Sequence, residues 1–306
     1  MKSKWLFWAA MAALAGVIAC SQASQEAQKR PASPCGDANV LTEKEKAAGW
    51  ELLFDGKSLS GWHGYNGQST QSWAVEGCAI KSVGTEGNYG SDLRADLVTG
   101  KQYENFELSI DWKASKGGNS GLMYGVVEDP KYKAAWMTGP EYQFIDDVGF
   151  PEKLEEWQKA GANYAMHLPN DQKKLKPVGE WNNTSIVVNG AHVEHWLNGK
   201  KILEFERWND DWNKLRNSGK WKEAPDYGLA KTGHIVLQDH GSVFWFRSVK
   251  IRRIADLPAG RKSCGHNLKS TIHNPQSAIG RVESPKPFRV PNHESSPQRH
   301  EDPARS

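Results

Sequence analysis

The sequence lacks a second long apolar run after its first twenty residues, which excludes a protein that crosses a membrane several times. Charge of neither sign is in excess, since 39 Lys and Arg face 36 Asp and Glu without a long basic stripe. That balance disfavours nucleic-acid binding. Cysteine is scarce, at four residues, and the cysteine spacing fits no zinc-binding template. No internal repeat is present, so a solenoid or propeller is not expected.

Aromatic residues, in contrast, are abundant. The chain has 14 Trp, 8 Tyr and 9 Phe, and this amount of apolar surface argues against a wholly disordered protein. Twelve of the 14 tryptophans lie between Trp50 and Trp245. This concentration predicts that the folded core is built from that part of the chain.

The N-terminus has the pattern of an export signal. Lys2 and Lys4 precede an apolar run from 5 to 19, which is too short for a comfortable membrane span and suits a signal peptide. The small residue before Cys20 resembles the lipobox of bacterial lipoproteins, in which the cysteine is lipidated and becomes the first mature residue. An ordinary secretory signal cleaved nearby is the alternative. We therefore expect an exported lipoprotein anchored by lipid in the periplasm or outer membrane.

Composition divides the chain into four parts. We expect a signal peptide at 1–19, a flexible Ala/Ser/Gln-rich tether at 20–45, a folded body at 46–256 and a disordered Pro/Ser-rich tail at 257–306. An exported protein meets an oxidising compartment, so one disulfide is expected among Cys35, Cys78 and Cys264, with one thiol left over. All three pairings stay open at this point.

The body shows the pattern of many short strands. Apolar and polar residues alternate in runs such as 106–112, and Asn189-Gly190 and Asn198-Gly199 separate such runs as hairpin turns do. Helical patterning is confined to Pro151–Ala160 and Asp210–Arg216. The sequence therefore predicts an all-β jelly-roll sandwich of two antiparallel sheets with short helical insertions.

Five segments, taken in order, resemble a known family. They are 49–56 with Gly61-Trp62, Gly118-Asn119-Ser120-Gly121, Gly139-Pro140-Glu141-Tyr142-Gln143, 195–199, and Gln238-Asp239-His240-Gly241 with Phe246-Arg247. Together they are similar to the 3-keto-disaccharide hydrolase family over roughly residues 48–254. The resemblance implies a concanavalin A-like sandwich with a concave sheet that holds a sugar. It also implies a 3-keto-glycoside as substrate, and a partner oxidoreductase that makes the ketone.

Strand alternation predicts which side chains share a face. If Tyr142 and Phe144 face the core, Glu141 and Gln143 face outward. The same reasoning applies to the strands that end near 119–124 and 238–240. The residues expected to converge on one outward face are Asn119, Glu141, Gln143, Gln238 and His240. His195 and Arg247 complete the predicted substrate-binding set, and Trp62, Trp73, Trp136, Trp181 and Trp196 are candidates for stacking on sugar rings.

A 3-keto sugar has an acidic hydrogen at C2, because the C3 carbonyl stabilises the resulting enolate. Cleavage by elimination needs one general base, one acid for the leaving oxygen and a group that stabilises the enolate. Glu141 or His240 is the expected base and the other residue the acid. His240 has an ordinary pKa near 6.5, close to working pH. Arg247 or a bound cation is the expected enolate stabiliser.

Three alternatives stay open. A two-carboxylate glycosidase would pair Glu141 with Asp146, Asp147 or Asp239. No cofactor is certain, although Asp146-Asp147 is a candidate site for a divalent cation such as Ca²⁺. Gly125 stands where many family members carry Arg or His, so the cleft is expected to lack a basic group. That departure favours a non-catalytic carbohydrate-binding lipoprotein.

Overall fold

The computed structural model describes residues 35–84 and 93–254 and shows a sandwich of two antiparallel sheets. The larger sheet contains β1 (Trp50–Leu52), β3 (Trp73–Glu76), β4 (Ala79–Ser82), β6 (Phe106–Ala114), β9 (Asn182–Asn189), β10 (His192–Leu197), β11 (Lys200–Glu206) and β13 (Phe244–Arg253). The smaller sheet contains β2 (Trp62–Gly64), β5 (Leu97–Tyr103), β7 (Asn119–Val126), β8 (Glu141–Ile145) and β12 (Gly233–Leu237). The predicted fold class is confirmed.

Strand order explains why the fold is a jelly roll. The larger sheet runs β11-β10-β9-β6-β13-β4-β3, with β1 also paired to β13, and the smaller runs β2-β5-β12-β7-β8. The chain passes repeatedly from one sheet to the other, so strands distant in sequence become neighbours. This topology brings β7, β8 and β12 together at one edge of the smaller sheet.

Two hairpins join β9, β10 and β11, as the sequence predicts. The turn between β10 and β11 consists of Asn198 and Gly199, with φ of 49° and 77°, the left-handed conformation that Asn and Gly tolerate best. The turn between β9 and β10 lies one residue later than expected. Asn189 pairs with His192, so Gly190 and Ala191 form this turn.

Aromatic rings fill the space between the sheets. Trp112 of the larger sheet stacks on Phe144 of the smaller sheet with ring centroids 4.8 Å apart, and Phe246 lies 6.0 Å from Phe144. Tyr142 and Phe144 are fully buried, so the predicted inward faces of β8 are confirmed. The outward neighbours in β8 must then lie on the opposite side of the smaller sheet.

Helices are short. Within residues 35–84 and 93–254 they are α1 (Glu43–Ala47), α2 (Asp210–Ser218) and the 3₁₀ turns Tyr65–Gly67, Ala135–Met137, Glu156–Gln158 and Lys220–Glu223. The helix predicted at 210–216 is confirmed as α2. The helix predicted at 151–160 is wrong, because only one 3₁₀ turn forms there. The chain after it instead pairs with the free edge of β8, where the Gly161 N–H donates to the Gln143 carbonyl.

The described part of the predicted tether, residues 35–45, is folded against the larger sheet. Cys35 and Cys78 form a disulfide, and the Asn39 side chain bonds the Cys78 carbonyl and the Ser248 N–H at 2.8 Å each. Thr42 begins α1 with a reciprocal capping box. The expected boundary at residue 46 is therefore wrong, because these bonds attach the chain from Cys35 onward.

Several expectations lie outside the described residues. These are the signal peptide at 1–19 with Cys20, the first part of the tether, the tail at 257–306 and Cys264. Within residues 35–84 and 93–254, none of the helices is both long enough and apolar enough to cross a membrane.

Loss of the Cys35–Cys78 disulfide is expected to lower stability without abolishing the fold. The bridge spans 43 residues, and the chain-entropy model assigns such a loop about 4 kcal/mol. A Cys35→Ser/Cys78→Ser variant should therefore unfold roughly 10 °C below the parent protein. Thermal denaturation followed by circular dichroism measures this. Reductant should lower the melting temperature of the parent protein to that of the variant and leave the variant unchanged. Equal sensitivity of both proteins to reductant would contradict the assignment of the disulfide.

Candidate functional site

A small pocket of about 140 Å³ opens on the outer face of the smaller sheet, where β7, β8 and the end of β12 meet. It is lined by Asn119, Trp136, Glu141, Gln143, Tyr164, Lys220, Trp221, Gln238 and His240. All five residues that alternation predicted to converge are present. The expected geometry of this face is confirmed, and four further residues complete the lining.

The strands hold the polar residues in fixed register. β7 and β8 pair antiparallel, with Gly121 opposite Gln143 and Met123 opposite Glu141. The Gln238 N–H donates to the Gly121 carbonyl at 2.9 Å, and the Ser120 hydroxyl donates to the Gln238 carbonyl at 2.8 Å. The end of β12 is thereby attached to β7, and the Gln238 side chain is left to face the pocket.

Glu141 is the most deeply placed ionisable group of the pocket. Its residue is 5% exposed, and its carboxyl group lies over Gly121. A Cβ added to Gly121 would overlap the Glu141 Oε1 atom, so only glycine leaves room for this carboxyl group. Burial raises the pKa of Glu141, since a charged carboxylate loses hydration there, while the Lys220 ammonium opposes the shift.

Lys220 places a cation beside that carboxyl group. It begins the 3₁₀ turn after α2, and its Nζ lies 4.3 Å from the Tyr164 ring centroid and 5.0 Å from that of Trp221. Lys220 as a residue is exposed, but desolvation of its ammonium beside the pocket lowers its pKa, and the Glu141 carboxylate opposes this change. The sequence analysis missed Lys220, because the segment between β11 and β12 has no strand alternation that would assign its faces.

His240 lies at the mouth of the pocket and keeps part of its surface exposed. Desolvation by the surrounding atoms lowers its pKa, and the positive charges of Arg94 and Lys220 act in the same direction. The imidazole is therefore neutral at neutral pH and can accept a proton. In one pocket, a carboxyl group is shifted towards its protonated form and an imidazole towards its unprotonated form.

Amide groups supply further hydrogen-bonding capacity. Asn119 Oδ1 and Gln143 Oε1 are buried, and neither has a partner among the described residues. Buried amides without partners are costly unless a ligand or water satisfies them. A polyhydroxylated ligand presents both donors and acceptors, so it fits this part of the lining.

Aromatic rings form the remaining wall. The Tyr164 N–H donates to the Glu141 carbonyl at 3.0 Å, and the Trp221 Nε1–H donates to the Tyr164 carbonyl at 3.1 Å. Trp136 stands beside Trp221 with centroids 6.1 Å apart. Of the five tryptophans proposed for sugar stacking, Trp136 alone lines the pocket. Trp62 and Trp73 are buried in the core, Trp181 precedes β9 and packs on Arg247 of the larger sheet, and Trp196 belongs to β10 of that sheet.

His195 is not part of the pocket, contrary to the prediction. It is fully buried between the sheets, where its Nδ1 lies 3.1 Å from the Gly161 carbonyl and its Nε2 lies 3.3 Å from the Tyr124 hydroxyl. Burial lowers its pKa to about 3. Because Val193 and Leu197 also face inward, alternation along β10 assigns His195 to the core.

Arg247 also lies outside the pocket, contrary to the prediction. It belongs to β13 on the outer face of the larger sheet, with its guanidinium carbon 4.1 Å from the Trp181 ring centroid and its Nε 3.6 Å from Asp111 Oδ2. Phe244 and Phe246 occupy the inward positions of β13. Alternation therefore directs Arg247 away from the smaller sheet and its pocket.

The expectation that the cleft lacks a basic group is wrong, because Lys220 lines it. Gly125 itself does not contribute to the lining. It adopts a φ of +65°, and a Cβ added there would lie 3.5 Å from the Ala230 carbonyl oxygen and 4.0 Å from Arg207 Nη1. The argument that Gly125 favours a non-catalytic protein is thereby removed.

Asp146 and Asp147 lie at a different cavity. The Asp146 carboxylate accepts backbone N–H bonds from Gly117, Val148 and Gly149. Asp147 accepts a bond from the Ala160 N–H and pairs with Lys173. These bonds give both carboxylates a structural role. The divalent cation expected there stays a prediction.

The model of the 3-keto-alpha-glucoside-1,2-lyase-like domain matches residues 49–252. A 3-keto-disaccharide hydrolase of Bacteroides thetaiotaomicron is 32% identical over 228 residues, which cover 67% of this chain and 79% of that protein.

Two solved structures from Parabacteroides distasonis, both described as candidate glycosyl hydrolases, are also similar. One is 46% identical with a TM-score of 0.66, covering 71% of this chain and all of the other. The second is 28% identical with a TM-score of 0.52, covering 67% of this chain and 99% of the other.

Replacing Glu141 by glutamine is expected to stabilise the protein increasingly as pH rises. The folded-state pKa of Glu141 is raised, so the native state binds more protons than the unfolded state above pH 4.5, and stability falls with rising pH. The Glu141→Gln variant has no group to ionise at this position, so it does not lose stability in this way as pH rises. Melting temperatures at pH 5 and pH 9 measure the difference. Glu76→Gln is the control, because the Lys81 hydrogen bond lowers the pKa of Glu76. A Glu141→Gln effect that is equal at both pH values would contradict the assignment.

Proposed function

Since the chain belongs to the family of 3-keto-alpha-glucoside-1,2-lyase-like domains, we propose that it cleaves 3-keto-glycosides by elimination followed by hydration. The coarser statement, that it is a glycoside-cleaving enzyme, rests on this membership and on its similarity to the Bacteroides hydrolase. The finer mechanism is supported by one observation. The pocket combines a carboxyl group of raised pKa with an imidazole of lowered pKa.

Opposite pKa shifts of Glu141 and His240 favour one of the two assignments that the sequence left open. A group that is protonated at working pH serves as an acid, and one that is unprotonated serves as a base. His240 is therefore the general base and Glu141 the general acid. Placing Glu141 at the bottom of the pocket and His240 at its mouth allows the two to act on different atoms of one sugar ring.

The reaction proceeds in two stages. His240 removes the C2 proton, and the electron pair of the C–H bond forms an enolate whose oxygen is the former C3 carbonyl. The Lys220 ammonium stabilises that oxygen. The enolate then reforms the ketone, a C1–C2 double bond forms and the C1–O bond breaks, while Glu141 protonates the leaving oxygen. Water adds its hydroxyl to C1 and a proton to C2, which completes a net hydrolysis.

The two-carboxylate mechanism has less support. It requires a second carboxylate near Glu141, and the three candidates are otherwise engaged or do not line the pocket. Asp146 and Asp147 belong to the other cavity. One carboxylate oxygen of Asp239 accepts a hydrogen bond from the Gly241 N–H, and the other oxygen is buried.

We further propose that the enzyme acts outside the cytoplasm, on substrate prepared by another enzyme. The Cys35–Cys78 disulfide fits an oxidising compartment. Export through a signal peptide at 1–19 and lipidation of Cys20 are part of the same proposal. The C3 ketone must come from oxidation of a sugar hydroxyl. A partner oxidoreductase is therefore part of the proposal.

The direct test incubates the purified protein with a 3-keto-glucoside and, in parallel, with the unoxidised parent glucoside. Release of the aglycone from the ketone alone supports C2 proton abstraction. Release from the parent as well would overturn the proposal in favour of a two-carboxylate glycosidase. No release from either, with sugar binding retained, would identify a binding protein. Parallel reactions with EDTA determine whether a divalent cation is required.

Activity is expected to have a bell-shaped pH dependence. Activity should rise as His240 loses its proton, with a midpoint below the ordinary imidazole pKa of about 6.5. It should fall as Glu141 loses its proton, with a midpoint above the ordinary pKa of a glutamate. His240→Gln and Glu141→Gln should each lower kcat by about 10²–10⁴-fold. Glu141→Gln should also remove the alkaline limb of the kcat/KM profile. Retention of both limbs in that variant would assign the acid to another group.

Lys220 and Arg247 give a matched pair of cations for a second test. Lys220→Met should lower kcat by about 10²–10³-fold, since a group that stabilises the developing oxyanion is removed. Arg247→Met should leave kcat within about twofold, because Arg247 lies on the other sheet. Steady-state kinetics on the 3-keto substrate separate the two outcomes. A larger loss in Arg247→Met than in Lys220→Met would return the role to Arg247.

A further inference from the structure

The segment that carries His240 is held by side chains rather than by a strand. β12 ends at Leu237, so residues 239–241 lie beyond the paired strands. The Asp239 N–H donates to Asp96 Oδ1 at 2.9 Å, and the Gly241 N–H donates to Asp239 Oδ1 at 3.0 Å. The residues on both sides of His240 are thus bound to carboxylates, and Asp96 supplies the bond that crosses to another part of the chain.

The backbone around Asp96 is itself held in place. Asp96 directly precedes β5, which lies next to β12 in the smaller sheet. The Trp73 Nε1–H donates to the Ala95 carbonyl at 2.7 Å. The Tyr65 N–H donates to the Asp96 carbonyl at 2.9 Å. A side-chain acceptor on so constrained a backbone can determine where a neighbouring turn lies, because it has little freedom to follow that turn.

The Asp96 carboxyl group also brings charge close to the pocket, although it lies outside the pocket lining. Part of the residue is exposed, but desolvation of the carboxyl group raises its pKa to about 7. The bond from the Asp239 N–H opposes this shift, and the Asp239 carboxylate adds to it. Asp96 is therefore negatively charged in the alkaline pH range.

Glu141 is the pocket residue that this charge reaches. Desolvation raises the pKa of Glu141 most, the Lys220 ammonium lowers it, and the charge of Asp96 raises it further. Tyr164 and Tyr227 also interact with Glu141, and burial raises the pKa of both hydroxyls, so these groups stay neutral. An ionised Asp96 thus disfavours a second negative charge on Glu141.

The charges around His240 are different. Desolvation lowers the pKa of His240 most, Arg94 and Lys220 lower it further, and the Asp239 carboxylate raises it. Asp96 reaches His240 through its bond to the Asp239 backbone. The hydrogen bond and the charge of Asp96 therefore act on different members of the proposed acid–base pair.

We infer that Asp96 is a positioning residue of this site, which holds the segment that carries His240 and whose negative charge keeps Glu141 in its acid form. This inference rests on the proposed function. It goes beyond that function by assigning control of both proton-transferring groups to one carboxylate outside the pocket.

Two variants of Asp96 separate its bond from its charge. Asp96→Asn keeps an oxygen that can accept the Asp239 N–H and removes the charge. Its kcat on a 3-keto-glucoside near pH 6.5 should stay within about twofold of the parent, because the segment stays in place. The alkaline limb of its kcat/KM profile should move down by about 0.5–1 pH unit, since one like charge near Glu141 is lost. The acid limb should stay where it is.

Asp96→Ala removes the bond as well. It should show the same shift of the alkaline limb and, in addition, lower kcat about 10-fold near pH 6.5, because the base is no longer held in position. Asp55→Asn is the matched control. The Asp55 carboxylate also accepts backbone N–H bonds, from Lys57 and Ser58, but in an exposed turn away from the pocket. This variant should leave both limbs and kcat unchanged.

An unmoved alkaline limb in Asp96→Asn would overturn the inference, and so would an equal loss of kcat in the two Asp96 variants. Titration of the Glu141 carboxyl carbon by NMR gives a readout that needs no turnover. A lower midpoint for Glu141 in Asp96→Asn than in the parent supports the electrostatic role even if the parent cleaves no ketone, an outcome that would refute the proposed reaction alone. An unchanged midpoint would overturn that role whatever the activity.

Discussion

Packing of aromatic side chains between the two sheets is the interaction on which both the fold and the pocket depend. Trp112 and Phe246 of the larger sheet each contact Phe144 of the smaller sheet, and burying such rings supplies a large part of the stability of a β-sandwich. Since side chains alternate along a strand, placing Phe144 and Tyr142 inside obliges Glu141 and Gln143 to lie outside. The site is in this sense a consequence of the core.

The pocket places a carboxyl group where water is scarce, and that placement has a cost. A buried carboxylate is unfavourable unless it is paired, and burial correspondingly raises the pKa of Glu141. Gly121 leaves the space for the carboxyl group, and Lys220 provides the nearby positive charge. The same desolvation that reduces stability at high pH favours the protonated form of Glu141, which the proposed acid role requires.

The pocket is formed by two layers, the smaller sheet and the segment that follows β11. β7, β8 and β12 carry the polar residues in a fixed register, whereas the segment after β11 adds Lys220 and Trp221. The second layer is held by stacked rings that include Trp212 and Tyr227. The pocket therefore depends on both layers, since the smaller sheet carries Glu141 and the segment after β11 carries Lys220.

Strand alternation and turn residues were sufficient to predict the sandwich, the hairpin at Asn198-Gly199 and the shared face of Glu141, Gln143 and His240, because these follow from local backbone geometry. His195 and Arg247 were assigned to the site by motif rather than by alternation, which places both elsewhere. Only the tertiary structure decided the positions of Lys220 and Trp136. They lie on irregular segments, and contacts between residues far apart in sequence, such as Trp221 with Tyr164, determine where those segments pack.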